Sequence, residues 1–306
     1  FPSLASTPSP IQLELLAPAG NVECGLAALS SGADAIYLGG KVFNARAHAA
    51  NFGIDELREA VRLAHILDVS VYVTVNILIG DTELKDLEQY IKDLDYIGVD
   101  AIIVQDLAVA AIAKRVAPNI HLHGSTQMTA ATLDAVRFYE SLGFTRVVLA
   151  RELSLKEIQH ICKHCKAEIE VFVHGALCVC YSGQCLMSSF IGGRSGNRGA
   201  CAQPCRLPYE LLDSKGTSLL PKHEAYLLSP KDLNYSEHMN ELVAAGVTSF
   251  KVEGRMKSIH YVATVASVYR KLIDDYCADP DNFEMTPEYK LELYKCANRD
   301  TAMSFF

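Results

Sequence analysis

Short, unbroken apolar runs alternate along the chain with longer stretches whose apolar positions recur every three or four residues. Four of the runs share one phrase: a glycine, a brief link, then an apolar segment that ends on polar residues. They occupy 32–39, 98–106, 143–151 and 246–254. A glycine in that place suits the left-handed position that terminates a helix. An unbroken apolar run of this length suits a strand buried on both faces. Residues 13–16, 69–76, 120–127 and 169–174 keep the rhythm without the glycine, which brings the strands to eight. Between them, 55–67 carries Leu57, Val61, Ala64 and Ile66, and 82–97 carries Leu84, Leu87, Ile91 and Leu94. These spacings, with those in 107–116, 130–142 and 154–162, predict amphipathic helices. Ser154 with Glu157 reads as a capping box.

Alternation of strand and helix eight times over predicts an α/β protein of the (β/α)8 TIM-barrel type, with a doubly wound parallel sheet as the alternative. The spacing breaks once, at 175–245, a long insertion after strand seven. Chemistry in such a barrel sits on the loops that follow the strands, so this insertion is expected over the mouth. The organisation expected is a tail at 1–11, a barrel at 12–277 that includes the insertion, and a C-terminal extension at 278–306. A closing helix is predicted at 259–276.

Composition narrows the class. The 306 residues carry a net charge of −8 and are 50% hydrophobic, enough apolar side chain to exclude a disordered chain. Net acidity argues against general coating of DNA but leaves room for a local basic patch that meets RNA. No apolar run approaches the roughly 18–20 residues of a membrane helix. The opening lacks a basic segment followed by an apolar one, and its first residue is Phe1 rather than methionine. A cytoplasmic location is the expectation.

The ten cysteines are unevenly placed: Cys178, Cys180, Cys185, Cys201 and Cys205 crowd into the insertion. In a cytosolic chain such crowding points first to a metal or cluster site. No acidic residue stands between Glu170 and Glu210, whereas Arg194, Arg198 and Arg206 do. A positive field favours thiolates, and it favours an anionic four-cysteine iron–sulfur cluster too. Zinc on four thiolates is the rival, although only Cys201 and Cys205 have the close spacing of a zinc pair. Unligated buried cysteines are the third reading. Cys180 reads as a small packed residue. Cys162 and Cys165, with His160 and His164, read as a surface or core feature on the face opposite the mouth.

Glu170-Val171-Phe172-Val173-His174-Gly175-Ala176-Leu177-Cys178, followed by Tyr181-Ser182-Gly183-Gln184-Cys185-Leu186-Met187-Ser188, closely resembles the signature of the collagenase-like peptidase U32 family. Glu14-Leu15-Leu16-Ala17-Pro18-Ala19-Gly20 looks like the first strand of that family. Tyr37-Leu38-Gly39 with Phe43-Asn44-Ala45-Arg46 resembles the second, and Lys251-Val252-Glu253-Gly254-Arg255 the eighth. The resemblance implies hydroxylation without molecular oxygen rather than proteolysis. Members make 5-hydroxyuridine at the tRNA wobble position, hydroxylate a cytidine of ribosomal RNA, or act in pairs in ubiquinone synthesis. It further implies prephenate as the hydroxyl source, RNA as acceptor, and a 4Fe-4S cluster on the matching Cys178, Cys185, Cys201 and Cys205. The ending Cys201-Ala202-Gln203-Pro204-Cys205-Arg206 is similar to the RNA-modifying branch. Longer members continue past the segment like Asn298-Arg299-Asp300-Thr301 into a small β domain, so an RNA-binding appendage is expected to be absent or trimmed from a sequence ending at Phe306. A collagenase-like metal-dependent peptidase and a non-catalytic partner subunit of the same family stay open as alternatives.

Polar groups at the ends of apolar strands are candidates for the site: Asn76, Gln105, Thr126, Gln127, Arg151, His174, Glu253 and Arg255. Arg46 and Arg255 are the choices for a small dicarboxylate such as prephenate, because guanidinium groups grip carboxylates in a bidentate fashion. Structural ion pairs with Glu14 or Glu253 are the alternative for both. Asn76, Gln127 and Arg151 are expected to line the same pocket. His174 is a candidate proton carrier or a histidine holding the insertion. Tyr37 is a candidate ring stacker or hydroxyl donor, or core. Glu253 completes the catalytic candidates. No H-E-x-x-H helix and no G-x-S-x-G elbow occurs, and glycine-rich 192–199 joins no strand to a helix.

Overall fold

The structure is a computed structural model that describes residues 13–220, 225–296 and 301–302. The expected tail at 1–11 lies outside the described residues, as do parts of the insertion and of the C-terminal extension. In chain order the strands are β1 (Glu14–Ala19), β2 (Ala35–Gly39), β3 (Ser70–Val75), β4 (Ala101–Val104) and β5 (His121–Gly124). β6 (Arg146–Val148), β7 (Glu168–Gly175), β8 (Asp232–Asn234), β9 (Ser249–Val252) and β10 (Thr301–Ala302) follow. β1 to β7 pair in sequence, each parallel to the next, and β9 pairs in parallel with both β7 and β1. The sheet therefore closes into an eight-stranded parallel barrel, which removes the doubly wound alternative. β8 lies outside the ring, antiparallel to the end of β7, and β10 pairs with it.

Eight helices follow the eight ring strands: α1 (Val22–Ser30), α2 (Ile54–Ile66), α3 (Leu84–Ile97), α4 (Leu107–Val116), α5 (Leu133–Ser141), α6 (Leu155–His164), α8 (Met239–Ala245) and α9 (Ile259–Ala278). α7 (Met187–Gly192) belongs to the insertion, and α10 (Pro287–Cys296) packs on α9. The glycines opening the recurring phrase, Gly32, Gly98, Gly143 and Gly246, all take left-handed backbone, with φ of 83°, 87°, 89° and 102°. The Glu157 carboxylate accepts from the Ser154 N–H at 2.7 Å, as the capping box requires. α1 and α8 are helices the apolar spacing did not announce. Each is short, and α8 falls inside the span read as insertion, where it packs against α6 as a ring helix.

Strand alternation divides the protein into two cores. One lies between the barrel and its helices; the other, inside the barrel, contains Leu16, Ala35, Tyr37, Tyr72, Ala101 and Ile103 from β1 to β4. The opposite wall of the lumen is charged. Arg146 on β6 reaches Glu14 at 2.5 Å and Glu170 at 3.4 Å, and Lys251 on β9 reaches Glu170 at 2.7 Å. Ser249 and Tyr72 donate to Glu14 as well. Arg146, Glu170 and Lys251 are nearly inaccessible to water, so pairing is the condition on which the barrel can hold them.

Candidate active site at the barrel mouth

The chain leaving β9 carries Glu253 and Arg255 directly to the mouth, and the loop after β2 brings Asn44 and Arg46 to the same place. Arg46 Nη2 stands 3.0 Å from Glu253 Oε1, and Arg151 Nη2 stands 3.8 Å from Oε2. Burial raises the Glu253 pKa, but Arg46 and then Arg151 and Arg255 more than offset it and hold the carboxyl at about 2. The Tyr37 hydroxyl donates to the Val252 carbonyl at 2.9 Å and lies 3.5 Å from Glu253 Oε2. Burial, reinforced by Glu253, pushes its pKa well above the ordinary value, so it is a neutral donor.

Arg255 is 5% exposed, and its guanidinium donates to Thr74 Oγ1 and Asn44 Oδ1, both at 3.2 Å. Among the described residues no carboxylate pairs with it. Gly39 makes the room: a Cβ there would stand 2.1 Å from Arg255 Nη1. Burial, then Arg46, lowers its pKa to about 10, which leaves it a cation at neutral pH. Beside it, the buried Tyr90 hydroxyl and Asn51 Oδ1 find no protein partner. Arg151 stacks its guanidinium 3.9 Å above the Phe172 ring and donates to the Ala176 carbonyl at 2.6 Å, and its Nε is buried without a partner. Three guanidinium ions thus face one carboxylate. An excess of this kind, with unused donors in a dry setting, is built for an anion.

Asn76 accepts from the Ala45 N–H at 3.0 Å and donates to Ser125, fixing the loop that carries Arg46. Gln127 lies in the turn after β5, where its backbone receives the cysteine loop at Gly183. His174 is placed elsewhere. A register shift between Phe172 and His174 breaks the alternation that would have turned it inward with Glu170 and Phe172. Its ring instead packs between Tyr261 and Tyr269 of α9, where burial lowers its pKa to about 4. It is a neutral histidine anchoring the start of the insertion, apart from the arginines. Glu14, the other partner considered for Arg46 and Arg255, belongs to Arg146 in the lumen.

The insertion brings its thiols to the arginines. Arg151 senses Cys178, Arg46 senses Cys201, and Cys205 senses Cys178, Cys201 and Cys185. No disulfide joins any of them. Cys180 is part of this group rather than a packed residue, since burial and then Cys185, Cys178 and Cys205 together push its pKa up to about 11. Of the insertion's three arginines, one is neutralised by a carboxylate. Arg198 is held by Glu83 at 2.7 Å, and Arg194 and Arg206 donate to backbone carbonyls. Arg206 remains the chief positive charge on Cys205, while Arg46 and Arg151 add charge from the barrel near Cys201 and Cys178. An all-sulfur donor set suits a thiophilic group. A single tetrahedral ion would need its sulfurs within about 4 Å of one another. Among the described residues no three His, Cys, Asp or Glu side chains gather to hold one ion.

The sequence profile of Peptidase family U32 matches residues 20–306. The chain belongs to that family. Among its U32 relatives, tRNA hydroxylation protein P1 of Bacillus subtilis is 46% identical over 297 residues, covering 96% of this chain and 70% of that protein. The 23S rRNA 5-hydroxycytidine C2501 synthase of Escherichia coli is 44% identical over 268 residues, covering 88% of this chain but 40% of that protein. A protein named collagenase from Porphyromonas gingivalis is 35% identical over 298 residues, covering 94% and 71%. In fold, the chain is similar to the U32 peptidase Mk0906, with a TM-score of 0.51 at 13% identity over 83% of this chain and 97% of that one. Two features of this U32 barrel escaped the sequence reading, the lumen ions and Cys180. A charge in the middle of an apolar strand, as at Glu170 and Lys251, was the available signal for the first.

Proposed function

We propose that this chain hydroxylates a pyrimidine of RNA without molecular oxygen, taking the hydroxyl group from a small carboxylic acid. The acceptor proposed is a tRNA wobble uridine, converted to 5-hydroxyuridine, and the donor proposed is prephenate or a carboxylate like it. The observation that carries this reading is the buried Arg255, cationic and without a carboxylate, beside Arg46 and Arg151. The names of the RNA-modifying relatives support the acceptor class. In this arrangement Arg255 grips a carboxylate of the donor, and Arg46 and Arg151 flank it. Glu253, ionised, keeps those two arginines in place and stops them from collapsing onto the ligand. The Tyr37 hydroxyl, already aimed at the mouth and unable to ionise, donates a hydrogen bond to a bound oxygen. A 4Fe-4S cluster on Cys178, Cys185, Cys201 and Cys205 would supply one-electron chemistry when bound. In this reading the barrel arginines hold the donor beside those cysteines, two of which lie close enough to act on Arg46 and Arg151. The metal-dependent peptidase reading has less support, since a metal saturated by four thiolates leaves no position for a water.

Nucleoside mass spectrometry on RNA from a strain lacking the gene tests the proposal. Loss of 5-hydroxyuridine, restored by the gene but not by Arg255→Met, is expected. An unchanged set of hydroxylated pyrimidines overturns it.

A further inference from the structure

α7 of the insertion presents Leu186, Phe190 and Ile191 to solvent, with Phe190 84% exposed. Leu186 and Phe190 lie one turn apart on one face, joined by the Phe190 N–H donating to the Leu186 carbonyl at 3.0 Å. The short helix is nevertheless fixed from beneath. Ser188 is buried and accepts from the Ala202 N–H at 2.9 Å, one residue beyond Cys201. Arg194 follows the helix and lies 2.8 Å from His48, two residues beyond Arg46, so α7 stands at the rim of the mouth. Among the described residues Arg194 meets no carboxylate.

An exposed ring on a fixed support, with a cation four residues further along the same loop, matches an unpaired nucleotide. The ring offers a stacking face to any base, and the guanidinium meets the phosphate. A base-paired duplex would use the cation but leave the ring unused, and a purely apolar protein partner would desolvate the Arg194 charge with, among the described residues, only the Ala200 carbonyl and His48 beside it and no anion. We propose that Phe190 and Arg194 dock an unpaired nucleotide of the RNA substrate beside the target base. This rests on the RNA-modifying function proposed above.

Fluorescence anisotropy with the full-length protein, purified anaerobically, tests it. The probes are a labelled RNA hairpin with an unpaired loop and a blunt duplex of equal length. Phe190→Ala is expected to weaken hairpin binding about 5- to 150-fold, corresponding to the roughly 1–3 kcal/mol of one base–aromatic stack. Phe190→Tyr should restore binding, and Arg194→Gln should flatten its salt dependence. Tyr96→Ala, which removes an equally exposed ring on α3, should change nothing. Wild-type binding of the hairpin with Phe190→Ala unaffected overturns this docking site alone and leaves the proposed function standing. So does a Phe190→Ala variant that loses only self-association in sedimentation, since the face is then a protein interface. A wild-type protein that binds no hairpin, in a strain whose deletion leaves RNA unchanged, overturns both.

Discussion

Replacing Glu253 with glutamine isolates the electrostatics of the mouth, because the amide keeps the shape of the carboxyl and removes its charge. The carboxyl sits at about 2 in the folded protein against an ordinary 4.5. At 1.36 kcal/mol per pH unit that difference is about 3 kcal/mol. Arg46, its nearest partner, is 34% exposed, which reduces the expected loss to about 2–3 kcal/mol. With an unfolding entropy of about 0.6 kcal/mol/K for a chain of this size, Glu253→Gln should melt about 3–5 °C below wild type at pH 7. The sign with pH follows from linkage. The folded pKa is depressed, so the contribution is complete above the unfolded value near 4.5 and is lost as pH falls toward 2. Thermal unfolding followed by circular dichroism should show the gap shrinking to below half by pH 3. Freed of their internal anion, the three arginines should bind an added dicarboxylate such as malonate more tightly, and malonate should raise the melting point of the variant more than that of wild type. A variant within 1 °C of wild type at pH 7, or a gap that stays constant to pH 3, would refute the assignment of Glu253 as the fixed counter-ion of the site.

In the lumen, Glu170→Gln or Lys251→Met alone should cost about 3–5 kcal/mol in denaturant unfolding by stranding a buried charge. The double variant should lose clearly less than the sum; strict additivity would contradict the pairing. Wild-type stability should fall as pH drops from 6.5 toward 4, because His174 takes up its proton in the unfolded chain before the folded one. His174→Asn should lack that part of the profile while binding malonate normally, and a lost malonate response would return His174 to the ligand site. Iron and sulfide analysis with the visible spectrum, after anaerobic purification, should find a cluster that Cys178→Ser, Cys185→Ser, Cys201→Ser and Cys205→Ser each abolish and Cys162→Ser leaves intact. Colourless protein holding stoichiometric zinc would overturn the cofactor proposal.

Local pattern alone narrowed the fold to a parallel α/β architecture with the barrel foremost, and closure between β9 and β1 settled it. A glycine that must adopt left-handed backbone, followed by an apolar run and then a helix of three-to-four periodicity, is a local pattern, and repeated it leaves few architectures. It also marked the cysteine insertion and, through Arg46, Glu253 and Arg255, most of the mouth, because strand ends are set by the same local signals. Tertiary structure decided the rest. Nothing local to residues 170–174 announces the register shift that turns His174 outward, since the shift arises from pairing with β9, far along the chain. The lumen ions required closure of the sheet, which alone brings Glu14, Arg146, Glu170 and Lys251 from four strands within reach of one another. The charge environment of the thiols was likewise non-local. Arg206 acts on Cys205 from the next position in sequence, but Arg198 is spent on Glu83, and Arg46 and Arg151 come beside Cys201 and Cys178 only through folding. Periodicity is a property of neighbours in sequence, whereas the partner of a buried charge is chosen by closure of the barrel.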